Sequence, residues 1–147
     1  TELRPGNYVF FDLTQVALGA AAKGQCALTV LSTVISRPAP DRLVLDAGSK
    51  TLSSDRARGP DAHAGFGAIR SDARAHEINQ ALVVERLSEE HAVVAVIGND
   101  TTLTPGDRVR LLPNHACVVA NLTDALQLVD GDTVVETLPV QARGKNA

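Results

Sequence analysis

Short runs of β-branched and apolar residues recur along the chain, each broken by Gly, Pro, Asp or a polar cluster, and this punctuation predicts strands rather than long helices. Tyr8 to Phe11 reads as a first strand. Cys26 to Ser36 reads as a longer one, rich in β-formers at Val30, Val34 and Ile35 and stopped by Pro38 and Pro40. Arg42 to Leu45 is a short strand, after which Asp46-Ala47-Gly48-Ser49-Lys50 is too polar and small to continue and predicts a loop. Phe66 to Arg70 follows, with Gly65-Phe66-Gly67 as a turn entering it. Ala81 to Leu87 and Ala92 to Ile97 predict a hairpin turned by Ser88-Glu89-Glu90-His91. Thr104-Pro105-Gly106-Asp107 marks a turn before Val109 to Leu112, and Asp130-Gly131-Asp132 joins Leu126 to Val129 with Thr133 to Leu138 as a second hairpin. Two stretches predict helix, Leu13 to Ala22 and Val118 to Leu126, whereas Ser53 to Ala64 reads as an irregular surface excursion, a connection or a lid. The sum is a mainly β domain, a small barrel or sandwich with one or two short helices.

The 147 residues suffice for one domain, and 44% apolar residues suffice for a core, which must be built from Val, Leu, Ile and Ala because aromatics are only 3% and Met and Trp are absent. A net charge of −3 with interspersed acids and bases offers no electrostatic footprint for nucleic acid or an anionic membrane. No apolar run approaches membrane-spanning length, and the polar start lacks the regions of a signal peptide, so a soluble, cytoplasmic protein is expected. Cys26 and Cys117 do not form the pattern of a disulfide scaffold. The abrupt start at Thr1 predicts that the chain begins inside a longer polypeptide.

Candidate chemistry centres on Pro113-Asn114-His115-Ala116-Cys117. In extended backbone a His and a Cys two residues apart project to one face and could reach one ion, a donor pair that suits zinc. The competing reading is a buried thiol beside a hydrogen-bonded histidine. His63, His76 and His91 have no partner at metal-ligand spacing and read as surface or turn positions. Lys50, in a small-residue loop, would serve as a base if desolvated, or is simply a solvated or interface lysine. Arg143-Gly144-Lys145 reads as a solvated tail.

Three segments in order, Glu2-Leu3-Arg4-Pro5-Gly6-Asn7-Tyr8, Asp46-Ala47-Gly48-Ser49-Lys50 and Pro113-Asn114-His115-Ala116-Cys117, resemble the D-serine dehydratase-like and D-threonine aldolase family of fold-type-III pyridoxal-phosphate enzymes. The first is similar to the exit from the last strand of that family's cofactor barrel, the second to its D-x-G-x-K loop and the third to its metal motif. The resemblance implies a C-terminal β-domain, of the kind found in alanine-racemase-fold enzymes, that packs on a TIM-like barrel absent from this sequence. It further implies that His115 and Cys117 ligate zinc or another divalent metal, manganese included, and that the activity is loss of the β-hydroxyl from a D-3-hydroxy amino acid. The Schiff-base lysine would lie upstream, since Lys23, Lys50 and Lys145 do not match its position. Asp46 and Lys50 would be contributors at the active-site mouth or dimer interface, and Tyr8 would face the cofactor phosphate. A homodimer is implied for the full enzyme, and this chain alone should be inactive. The alternatives are Cα–Cβ cleavage of the aldolase type, a noncatalytic partner or dimerisation domain, and a metal-independent racemase of the same fold type.

Overall fold

A computed structural model describes residues 1–3, 5–70 and 76–145. Arg4 of the opening motif lies outside them. Six antiparallel strands close into a barrel in the order β1-β2-β5-β4-β3-β6: β1 (Val30–Ala39), β2 (Arg42–Leu45), β3 (Ala68–Arg70), β4 (Ile78–Leu87), β5 (Ala92–Val96) and β6 (Arg108–Leu112). Closure comes from β1 pairing with β6, with Val30 opposite Leu111 and Thr33 opposite Arg108, so the barrel itself leaves no free sheet edge.

Alternation fills the interior. Ala92, Val94 and Val96 of β5, Val109 and Leu111 of β6, and Leu43 and Leu45 of β2 are buried, while their neighbours face outward. Each fully buried Leu or Val contributes about 1.5–3 kcal/mol of transfer free energy, which lets an aliphatic core work almost without aromatics. A second, smaller cluster of Leu13, Cys26, Ala68, Ile78 and Leu112 lies outside the main core. Leu112 is buried there because α1 (Leu13–Ala17) covers that part of the wall.

Several elements differ from their sequence expectations. Tyr8 to Phe11 is a turn, not a strand: Tyr8 donates to the Gly6 carbonyl and Phe11 to the Asn7 carbonyl, so these amides are spent locally. The first long strand starts at Val30, four residues later than expected, and runs through Pro38 to Ala39. Pro38 is tolerated because the β1–β2 pairing is irregular between Ser36 and Ala39. The helix expected to reach Ala22 ends at Ala17, where Leu18 caps it and Gly19 turns left-handed at φ 72°. Ser49 and Lys50 are not loop residues but open α2 (Ser49–Leu52). The later helix, α3, spans Ala116–Asn121, starting two residues before the expected Val118 and stopping before Thr123.

The hairpin of β7 (Ala125–Asp130) and β8 (Thr133–Pro139) forms a separate two-stranded sheet. Such a hairpin is marginal on its own. It is tied down by Leu126, which packs against the main core, and by Gly144 N–H donating to Asn121 Oδ1 of α3 at 3.0 Å, while Val140 N–H donating to the Asp124 carbonyl and an Arg143–Asp124 ion pair at 2.8 Å close its open end. Arg143 is therefore engaged rather than part of a free tail.

Candidate functional site

The end of β6 delivers the chain through Pro113 and Asn114 to His115, which caps α3 in extended conformation (φ −144°, ψ 93°). Cys117 is the second residue of that helix. The two therefore do not share one extended strand as the sequence suggested, because the backbone turns helical between them. Cys117 is exposed, and Cys26 is buried; both are free thiols.

Three further residues, Asp12, Asn114 and Asp55, organise this corner. Asp12, only 1% exposed, accepts from Thr14 N–H at 2.9 Å as the N-cap of α1 and from Ala116 N–H at 2.8 Å at the start of α3. Asn7 adds a third bond, Nδ2 to Asp12 at 2.8 Å. One carboxylate thus locks two helix N-termini together. Asn114, equally buried, donates from Nδ2 to the carbonyls of Asp55 and Gly65, both at 3.0 Å. Asp55, from the excursion after α2, places its carboxylate oxygen 2.6 Å from His115 Nδ1.

Asp12, Thr14, Asp55, Arg56, Arg58 and His115 line a cavity of about 330 Å³. Arg56 stacks over the Phe66 ring, 4.0 Å from its centroid. A larger groove of about 550 Å³ lies elsewhere, between β1, β6 and the β7–β8 hairpin, and is lined mainly by apolar side chains with Lys50 at its margin. The smaller cavity is the one that His115 lines.

Electrostatics around the thiol are unfavourable to a free thiolate: local burial, then the Asp12 charge, push the Cys117 pKa up. Asp46 is exposed and receives Ser32 Oγ at 2.7 Å and Thr33 N–H at 2.8 Å. Burial alone would raise its pKa, but these hydrogen bonds outweigh it and hold the carboxyl below its ordinary value. Lys50 lies 2.8 Å from both Glu89 and Glu90. Hydrogen bonding to Glu89 and then to Glu90, together with their charges, raises its affinity for the proton, the reverse of what a general base needs. Tyr8 is 65% exposed on the N-terminal segment. Cys117, Asp46, Lys50 and Tyr8 are not among the residues lining the His115 cavity. His76 and His91 are exposed as expected. His63 is not a plain surface residue, because its buried Nε2 has no hydrogen-bond partner among the described residues and burial lowers its pKa.

A family profile described as a putative serine dehydratase domain matches residues 27–129. The chain belongs to that family. This serine dehydratase-type domain is 41% identical over 140 residues to an uncharacterized protein of Mycobacterium tuberculosis, covering 92% of this chain and 97% of that protein. It is 33% identical over 145 residues to the D-threo-3-hydroxyaspartate dehydratase of Delftia sp., covering 93% of this chain but 38% of the enzyme. The Delftia enzyme's structure matches with a TM-score of 0.78 at 32% identity, over 90% of this chain and 36% of that one. Solved variants of a D-threo-3-hydroxyaspartate dehydratase replace by alanine a histidine and a cysteine two positions apart, and the cysteine variant is in a metal-free form. The D-threonine aldolase of Filomicrobium marinum superposes with a TM-score of 0.74 at 28% identity, over 97% of this chain and 36% of the aldolase. The serine dehydratase-type domain therefore spans little more than a third of these two named enzymes and nearly all of the mycobacterial protein.

Proposed function

We propose that this chain is the C-terminal metal-binding domain of a pyridoxal-phosphate-dependent lyase acting on D-3-hydroxy amino acids, with His115 and Cys117 as the protein ligands of a divalent metal. The observation that carries the reading is the His-x-Cys pair at the start of α3, the same spacing as the histidine and cysteine replaced in the D-threo-3-hydroxyaspartate dehydratase variants. The donor set fits: an imidazole nitrogen and an exposed thiol suit a borderline-soft ion such as zinc, and manganese is the harder alternative. Among the described residues no three His, Cys, Asp or Glu side chains form a metal-binding group, so two protein ligands would leave positions for water and substrate.

The metal, when bound, would supply Lewis acidity to the departing β-hydroxyl oxygen. What this chain's residues do is hold the ligands. Asp12 fixes the first turn of α3 and so the Cys117 backbone, and Asn114 and Asp55 fix the approach to His115. The thiol must give up its proton on binding, which makes metal uptake weaken as pH falls. Tyr8, exposed on the N-terminal segment, would face the cofactor phosphate in the full enzyme, while Lys50 is held by Glu89 and Glu90.

Dehydration is favoured over Cα–Cβ cleavage by the family match and by the thiol at position 117, and the full enzyme is proposed to be a cytoplasmic homodimer. A second reading is favoured by the mycobacterial relative, nearly all of whose length this chain matches: a separate β-subunit that assembles with a cofactor barrel or acts without one.

The visible absorption spectrum of the protein purified from its natural source, before and after adding D-serine or D-threonine, tests the proposal. A cofactor band that responds to a D-amino acid, with release of a keto acid, supports the dehydratase. Release of an aldehyde selects the aldolase. A colourless protein that responds to neither overturns the lyase reading and leaves the partner domain.

A further inference from the structure

His115 and Asp55 are each about half exposed, with side chains at 45% and 49%. Two such groups would ordinarily gain little from meeting, since an exposed pair must restrict both side chains. Here the carboxylate is delivered by its backbone. The Asp55 carbonyl accepts from buried Asn114 Nδ2, and the Asp55 N–H donates to Ser53 Oγ at 3.1 Å. The same Asn114 Nδ2 bonds Gly65, closing the far end of the excursion. The Asn114 carbonyl accepts from Thr14 Oγ1 at 2.9 Å, which fixes the peptide leading into His115. The residue before the histidine thus anchors the segment that carries the carboxylate.

The other carboxylate lining this cavity is engaged elsewhere: Asp12 accepts from Asn7, Thr14 and Ala116. The Arg56 guanidinium lies over Phe66, and the Arg58 backbone N–H donates to Thr14 Oγ1 at 3.4 Å. Asp55 is therefore the carboxylate that remains for the imidazole. A carboxylate accepts but does not donate, so a neutral imidazole bonded to it through Nδ1 carries its proton there. Nε2 is then left with a lone pair.

We propose that Asp55 is a positioning residue that holds His115 in the Nδ1-protonated tautomer and presents Nε2 as a metal donor, and that Asn114 sets the place of Asp55. The tautomer half stands on the geometry alone, while the donor half rests on the metal reading given above. Carboxylates commonly orient metal-bound histidines in this way, and nothing in the His-x-Cys spacing points to residue 55 as the one that does so.

The test is a long-range ¹H–¹⁵N correlation spectrum of the labelled, chelator-treated chain at about pH 8.5, above the ordinary histidine range. The chain has four histidines, and the His115→Gln variant assigns the signal. The expected result is an Nδ1–H tautomer for His115 that reverts to Nε2–H in Asp55→Ala and is partly lost in Asn114→Ala. An Nε2–H tautomer in the parent, or an unchanged tautomer in Asp55→Ala, overturns the proposal. Zinc calorimetry on the same samples separates the two claims, with binding about 10–100-fold weaker expected in Asp55→Ala. A parent chain that shows the Nδ1–H tautomer but binds no zinc overturns the metal reading and upholds Asp55 as the residue that sets the tautomer. Equal zinc affinity in the parent and Asp55→Ala overturns the donor half.

Discussion

Asp55 Oδ2 and His115 Nδ1 lie 2.6 Å apart although 60 residues of sequence separate them. The contact exists because α2 and the excursion after it fold back over the start of α3, and Asn114 ties the two segments at their backbones. The strength of that tie sets the first expectation. Asn114→Ala removes two hydrogen bonds and leaves the buried Gly65 carbonyl and the partly buried Asp55 carbonyl short of a donor. A loss of about 1–3 kcal/mol follows, read as a lower urea midpoint with an unchanged slope.

Asp12 is the second pivot. Its replacement by Ala strips the cap from α1 and the acceptor from Ala116 N–H together, for a cost of about 2–3 kcal/mol. Faster hydrogen exchange at the Ala116 amide, ahead of global unfolding, would locate the damage at the start of α3. Unchanged exchange there would contradict the double-cap assignment.

Gly65 is required by both backbone and space. Its φ is 93°, and a Cβ at this position would run into the Val84 carbonyl. Gly65→Ala should cost more than about 2 kcal/mol, and the Asn114 bond to this residue should fail with it. Gly106, also left-handed but with nothing near its Cβ direction, makes the control: Gly106→Ala bears the conformational cost without the collision and should be the milder change.

Acid stability should carry the signature of Asp46. Its folded pKa is depressed, so its contribution is present above the unfolded carboxylate range and is lost as pH falls through the folded value. The melting temperature of the parent should exceed that of Asp46→Asn at neutral pH. The gap should narrow below about pH 4, the ordinary aspartate range, and close at lower pH. Because Asp46 is exposed, the gap should be modest; a gap that widens on acidification would contradict the sign.

The strands could be read from the sequence wherever alternation and turn residues agreed. Arg42 to Leu45 is found where the pattern put it, and the hairpin around Ser88 to His91 turns as expected although its first arm begins three residues earlier, at Ile78, and its second ends at Val96, because inward Leu and Val alternate with outward residues and the turns are polar. Tyr8 to Phe11 misled because a run of aromatic and β-branched residues has no strand to pair with there, and only Phe10 of the four packs on the main core. Barrel closure was not legible, since the β1–β6 pairing joins residues about 80 apart and depends on register rather than composition. At the candidate site, His115 and Cys117 stood out by residue type and spacing. Asp12, Asp55 and Asn114 did not, because their importance comes from long-range hydrogen bonds that no local pattern encodes. Lys50 stood out by its setting in a small-residue loop, yet two glutamates from the β4–β5 turn claim it.

The most direct test of the metal assignment is a cobalt(II) titration of the parent chain, His115→Ala and Cys117→Ala, followed by absorption. One ion per chain, with a near-ultraviolet thiolate-to-metal band that disappears in Cys117→Ala and much weaker binding in His115→Ala, is the predicted result. Absence of stoichiometric binding to the parent, or a spectrum that neither substitution alters, would contradict it.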